Sequence, residues 1–231
     1  MAITGVLFDF SGTLMRIEPA RSWLTAALEA TGARLPAQDV DRYAAALEEA
    51  GGLPGATPPR AIPPELEELW RDRDKQAAGH RELYTGLARQ VPLPDERLYD
   101  ELYERHRRPA AWHPYPDSLP VLRALAGRGL RVAVVSNIGW DLRPVFRAHG
   151  LDELVDAYVL SYEHGTVKPD PALFLAACGA LGLAPEQALM VGDDPAKDGG
   201  AAALGCAVHL VEHLPVEERP DGLRPVLGLL G

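Results

Sequence analysis

The chain has 231 residues, with 23 lysines and arginines against 33 aspartates and glutamates, a formal charge of −10, and 47% of its residues are hydrophobic. That composition is globular, and the length suffices for one large domain or for a core domain carrying an insertion. The acidic balance argues against nucleic acid or an anionic membrane as the principal partner, because each is a polyanion that a basic patch must neutralise.

The first segment, Ile3 to Phe8, is a short apolar run that ends on Asp9 and a Gly-Thr turn, and reads as a buried strand. No basic stretch precedes it and no apolar run approaches the roughly 18 to 20 residues of a membrane span, so a cytoplasmic protein is expected. Helical spacing then predicts helices over Arg21–Ala30, Pro36–Ala50, Pro64–Gln90 and Asp95–Arg108, with the Pro/Gly-rich stretch Gly51–Pro64 as a long turn. This span far exceeds the usual two-to-six-residue connection, so it is expected to be a domain of its own. The expected domains are a helical insertion at 17–112 and a core built from 1–16 and 113–231. Trp112–Pro116 reads as the returning linker, followed by a helix N-cap at Asp117 or Ser118.

Beyond it, a helix over Ser118–Ala126 leads into the apolar run Leu130–Val135, which ends on Ser136-Asn137. Ala157–Leu160 is a weaker strand candidate. Ala188–Val191 ends on Gly192-Asp193-Asp194, and Cys206–Val211 follows a small-residue helix over Gly199–Leu204. Cys178 and Cys206 lie in apolar stretches without metal-like spacing and read as reduced core thiols. The tail, Glu212–Gly231, reads as a loop and a short final helix with no recognisable chemistry. Continuously apolar strands alternating with helices predict an α/β fold: a Rossmann-like parallel sheet covered on both faces. In such sheets functional residues gather at the carboxyl ends of strands, which here carry Asp9, Ser136, Asn137, Asp193 and Asp194.

Four pieces, Asp9-Phe10-Ser11-Gly12-Thr13-Leu14, Ser136-Asn137, Lys168-Pro169-Asp170 and Gly192-Asp193-Asp194-Pro195-Ala196-Lys197-Asp198, together resemble the motifs of the haloacid dehalogenase-like hydrolase superfamily in order and spacing. The resemblance covers about 1–16 and 113–215, and the insertion matches the position of the helical cap that some members carry between the first two motifs. A carboxylate at a strand tip, Asp9, can attack phosphorus if the negative charges of both partners are neutralised. Mg²⁺ prefers oxygen ligands, so Asp9 and Asp193 are suitable, and the resemblance adds the backbone carbonyl of Ser11. Asp194 is a further metal candidate, whereas Asp198 is expected to order the loop or a metal-bound water. Lys168, one of only three lysines with Lys75 and Lys197, supplies a charge for nucleophile and phosphate. Ser136 and backbone N–H groups near Asn137 can hold phosphate oxygens.

The family pattern is broken at Ser11. Phosphatases of the superfamily usually carry a second aspartate there, which protonates the leaving oxygen and then activates water. Cation-pumping ATPases carry threonine, phosphonate-cleaving members alanine and haloacid dehalogenases an aromatic residue. Three readings stay open: a Mg²⁺-dependent phosphohydrolase of a small phosphorylated metabolite, a carbon–halogen or carbon–phosphorus hydrolase, and a phosphate- or metal-binding protein without turnover. In the first, Asp141, His164 or a cap residue would replace the missing acid. Dehalogenation needs no metal, which sets the acidic fourth motif against it. Phosphonate cleavage would need a cap lysine, and Lys75 within Arg71-Asp72-Arg73-Asp74-Lys75 reads as a charge-paired helix face. The expected partners are a small phosphorylated substrate, with neither nucleic acid nor membrane, for a monomer or homodimer. The cap would read the substrate; its many arginines single out no site residue, and the histidines show no zinc-binding spacing.

Overall fold

A computed structural model describes residues 2–230. The chain divides into two compact units, one of Met1–Arg16 with His113–Gly231 and one of Ile17–Trp112. In chain order the elements are β1 (Gly5–Phe8), β2 (Met15–Ile17), α1 (Ala20–Thr31), α2 (Ala37–Glu49), α3 (Glu67–Asp72), α4 (His80–Ala88), α5 (Arg97–His106) and β3 (Trp112–Pro114). There follow α6 (Ser118–Gly127), β4 (Arg131–Ser136), α7 (Arg143–Ala148), β5 (Ala157–Leu160), α8 (Ser161–His164), α9 (Pro171–Leu181), β6 (Ala188–Gly192) and β7 (Ala207–Leu210).

The first unit is built on a five-stranded sheet in the order β5-β4-β1-β6-β7, with every neighbouring pair parallel. Phe8 at the end of β1 lies in register with Val134 on one side and Val191 on the other. β1 and β6 are buried along their whole length, the reason they read as continuous apolar runs rather than alternating ones. Leu7, Ala133, Val135, Val159 and Met190 of the sheet form one core with Leu173, Phe174, Ala177 and Leu181 of α9. Cys178 and Cys206 sit in the same cluster as free, buried thiols. The expected helix at 199–204 is a 3-10 helix over Asp198–Leu204. Trp112–Pro116 is not a plain linker, because Trp112–Pro114 is a strand, β3, that pairs with β2 in a separate two-stranded sheet.

The second unit is helical. α1 turns Trp23, Leu24, Ala27 and Leu28 inward, the one-face spacing of an amphipathic helix, and the Trp23 indole donates to the Leu102 carbonyl of α5 at 2.8 Å. Glu18, almost fully buried, accepts from both the Nε and a terminal nitrogen of Arg105, at 2.6 and 2.9 Å. The single helix expected over Pro64–Gln90 is corrected: a 3-10 turn at Pro64–Leu66 runs into α3, and α4 starts afresh at His80. Two local effects break it. The Arg73 guanidinium donates to the Trp70 carbonyl and closes the end of α3, and Gly79 takes a φ of +81°, which ends helical continuity. Lys75 pairs with Asp72 at 2.9 Å on the half-exposed surface.

Candidate active site

The parallel register brings three strand ends together. The Asp9 N–H donates to the Val191 carbonyl at 2.9 Å, which keeps the residue after β1 beside β6, and Asp193 follows the last residue of β6. Ser136, buried, closes β4 on the other side of β1. Lys168 enters from the loop before α9, in a cis peptide bond to Pro169. Its Nζ, nearly fully buried, donates to Asp9 at 2.7 Å and to Asp198 at 2.6 Å. Asn137 aims that lysine: its Oδ1 accepts from the Lys168 N–H at 2.7 Å and its Nδ2 donates to the Lys168 carbonyl at 3.0 Å. The Asn137 side chain is thus committed to Lys168, which leaves the phosphate contact expected of this position to the backbone.

Asp198 is 1% exposed and organises the loop after β6. One carboxylate oxygen accepts from Lys168 and the other from the backbone N–H groups of Asp193 and Asp194, at 3.1 and 3.0 Å. Asp194, the other metal candidate, makes different contacts. Its carboxylate accepts from the N–H groups of Ala196 and Lys197 at 2.9 and 3.1 Å and pairs with the Lys197 ammonium at 2.7 Å, so it caps a turn. The acidic group that does form is Asp9, Asp193 and Asp198, with carboxylate oxygens within 4.8 Å of one another. Asp198, expected to order the loop, accepts from its N–H groups and is also a member of this acidic group.

These charges do not balance. Three carboxylates face one ammonium, and burial, reinforced by the Asp198 and Asp193 charges against the pull of Lys168, pushes the Asp9 carboxyl up to about 7. Burial would lower Lys168, but the Asp9 and Asp198 charges outweigh it and hold the amine above the ordinary lysine value. Burial likewise acts to raise Asp193, and its hydrogen bond from His213 overcomes that, leaving it below the usual carboxylate range. A hard divalent cation fits such an oxygen-rich, net-negative pocket.

Ser11 opens a tight turn after Asp9, closed by a 2.8 Å bond from the Gly12 N–H to the Met15 carbonyl. Neither sequence candidate for the missing acid joins the acidic group. Asp141 accepts from the Arg143 N–H and guanidinium, both at 3.1 Å, and His164 is exposed at the end of α8. Four residues outside the expected set do reach the site. The Thr13 hydroxyl donates to Asp193 at 3.2 Å, and His213 lies 2.5 Å from the other Asp193 oxygen with Arg16 on its far nitrogen. Arg219 donates to the Gly12 and Thr13 carbonyls. The tail, which shows no recognisable chemistry in sequence, thus lies against Asp193 and the turn after Asp9. Thr13 sits within the first motif, whereas nothing in the spacing of the tail marks His213 or Arg219, which only the fold brings back.

The family model of haloacid dehalogenase-like hydrolases matches residues 3–205. The chain belongs to this family. Among its curated relatives are a phosphoserine phosphatase of Thermus thermophilus, 35% identical over 142 residues, and (S)-2-haloacid dehalogenase 1 of a Pseudomonas species, 30% identical over 154 residues. The first match covers 61% of this chain and 51% of the relative, the second 61% and 68%. The chain thus spans about half the length of the first. A Mycobacterium tuberculosis phosphatase is 29% identical over 217 residues, 92% of this chain and 88% of that one. Among solved structures, a dehalogenase aligns with a TM-score of 0.69 at 22% identity, covering 99% of this chain and 97% of the other. The L-2-haloacid dehalogenase from Xanthobacter autotrophicus with chloropropionic acid covalently bound aligns at 0.64 and 24%, covering 99% and 84%. At these identities the structures establish the fold. This haloacid dehalogenase-like hydrolase carries all four motif pieces on its core unit, and the family match stops short of His213 and Arg219.

Proposed function

We propose that this haloacid dehalogenase-like hydrolase is a Mg²⁺-dependent phosphohydrolase of a small phosphorylated metabolite, with Asp9 as nucleophile. The observation that carries the reading is the charge imbalance: Asp9, Asp193 and Asp198 converge, and the one lysine among them pairs only with Asp9 and Asp198. The carboxylates of Asp9 and Asp193, with the Ser11 carbonyl, would hold the cation, which supplies positive charge opposite the nucleophile and the phosphoryl oxygens.

An ionised Asp9 oxygen attacks phosphorus as the bond to the leaving oxygen breaks, giving an aspartyl-phosphate. Lys168, held at its backbone by Asn137 and at its ammonium by Asp198, keeps a positive charge against the attacking carboxylate. The Ser136 hydroxyl and the Asn137 N–H would receive phosphoryl oxygens, the Ile138 N–H being taken by the Ser161 hydroxyl at 2.8 Å. The Ser11 hydroxyl is too weak an acid to give its proton to the leaving oxygen and too weak a base to activate water, so that proton comes from solvent and the acyl-phosphate waits for an unassisted water. Loss of a general acid–base costs about 10² to 10⁴ in rate, which predicts slow turnover. The helical unit acts as the cap that reads the substrate, in a cytoplasmic monomer or homodimer that engages neither nucleic acid nor membrane.

A second reading is favoured by Ser11 together with the (S)-2-haloacid dehalogenases among the relatives. Attack of Asp9 on a halogen-bearing carbon would expel halide without a leaving-group acid or a cation, but it gives the acidic group no task. Release of phosphate from aryl and sugar phosphates, and of halide from 2-haloacids, separates the two when each is measured with Mg²⁺ and with chelator. Mg²⁺-dependent phosphate release that Asp9→Asn abolishes is expected. Halide release indifferent to chelator, without phosphate release, would replace this reading by the second.

A further inference from the structure

The tail returns to the site with two side chains from beyond the family match. Arg16 lies on the Nε2 of His213. The His213 Nδ1 lies 2.5 Å from an Asp193 oxygen, and a carboxylate can only accept, so Nδ1 donates there. The other Asp193 oxygen accepts from Thr13 at 3.2 Å, so both are oriented. The ring is itself fixed on either side along the chain. Arg219 donates to the Glu212 carbonyl at 2.9 Å, and the Tyr115 hydroxyl donates to the Leu214 carbonyl at 2.6 Å. Gly12 makes the room: a Cβ there would lie 2.3 Å from His213 Nδ1 and 2.6 Å from the Asp193 carboxylate.

We propose that His213 is a positioning residue that presents the Asp193 carboxylate to the divalent cation, so that the C-terminal tail is a working part of the metal site. The proposal rests on the reading of Asp193 as a holder of the cation. A carboxylate whose outer lone pairs are engaged by fixed donors keeps one direction open, and losing such a partner commonly weakens metal binding by about 10- to 100-fold. Asparagine carries its amide nitrogen as many bonds from Cβ as histidine carries Nδ1, so it can make the same hydrogen bond to Asp193 without the link to Arg16.

The test is Mn²⁺ binding by calorimetry to the full chain and its His213→Ala, His213→Asn and Asp193→Asn variants, with circular dichroism to confirm folding and with phosphate release as a function of metal concentration. His213→Ala is expected to weaken Mn²⁺ about tenfold or more and to raise the metal concentration for half-maximal rate, leaving the rate at saturating metal within a few-fold of wild type. His213→Asn is expected to restore most of the affinity. Wild-type or tighter binding by His213→Ala, or no recovery in His213→Asn, overturns the proposal. If Asp193→Asn binds Mn²⁺ like wild type, the assignment of Asp193 to the cation fails and the role of His213 fails with it.

Discussion

Asp9, the nucleophile of the proposed reaction, is the least comfortable charge at the site. Its carboxyl rises to about 7, first because it is buried and then because Asp198 and Asp193 repel its ionised form. Only the ionised form attacks, so the rate is expected to rise with pH through an acid limb. A cation on the carboxylate favours ionisation and should move that limb to lower pH as Mg²⁺ is raised; a limb that stays fixed across a Mg²⁺ titration would contradict this. Lys168 pulls in the same direction as the cation. Lys168→Met is therefore expected to move the limb to higher pH and to cut kcat/KM by about 10²-fold or more, read from the pH–rate profile. Ser11→Asp is expected to raise turnover by about 10²-fold by restoring the acid–base group that activates water against the waiting acyl-phosphate. A folded Ser11→Asp protein with unchanged turnover would show that the acid is not what limits it.

Two helices of the second unit carry a different titration. His80 at the start of α4 and His106 at the end of α5 are buried, with the His80 Nδ1 at 2.9 Å from the Tyr103 hydroxyl and the two imidazoles 5.6 Å apart. Burial first, then the Arg73 and Arg107 charges, push His80 down to about 4, and burial and His80 itself hold His106 well below the ordinary value. The unfolded chain takes up protons near pH 6.5 and the folded one does not, so stability falls as pH drops from about 6.5 towards 4. For His80 alone the full loss is about 3 kcal/mol. Melting temperatures of wild type and His80→Phe between pH 7 and 5 test this, and the wild type should lose more than the variant over that interval. The Glu18–Arg105 pair gives a second prediction for this unit: Arg105→Ala leaves the buried Glu18 without its cation and is expected to cost about 3 to 5 kcal/mol in denaturant unfolding. The helical character of this unit was legible from apolar spacing. The break between α3 and α4 was not, because the Arg73–Trp70 bond that closes α3 is a side-chain contact that periodicity does not register.

At the scale of the whole molecule, the sheet explains both what could be read from sequence and what could not. Buried parallel strands leave continuous apolar runs, so the places of Asp9, Ser136 and Asp193 at the ends of three neighbouring strands were legible from where those runs stop. Lys168 and Asp198 were marked by the motifs around them, yet the bridge from Lys168 to Asp9 and Asp198 joins residues that only the fold brings together. Asp194 and Asp198 lie four residues apart in one acidic run, and which of them faces Asp9 depends on a turn that uses Asp194 as its cap. His213 and Arg219 belong to a tail with no motif, and they reach Asp193 and the turn after Asp9 because β7 returns the chain beside β6. The account stands or falls on the claim that Asp9 takes up a phosphoryl group. Mass spectrometry of acid-quenched protein, after incubation with an aryl phosphate and Mg²⁺, measures this directly. The peptide containing Asp9 is predicted to gain the mass of one phosphoryl group, to lose it on treatment with hydroxylamine, and to accumulate more of it in wild type than in Ser11→Asp. Phosphate release with no such gain in either protein, or an alkyl adduct on Asp9 formed from a 2-haloacid, would contradict it.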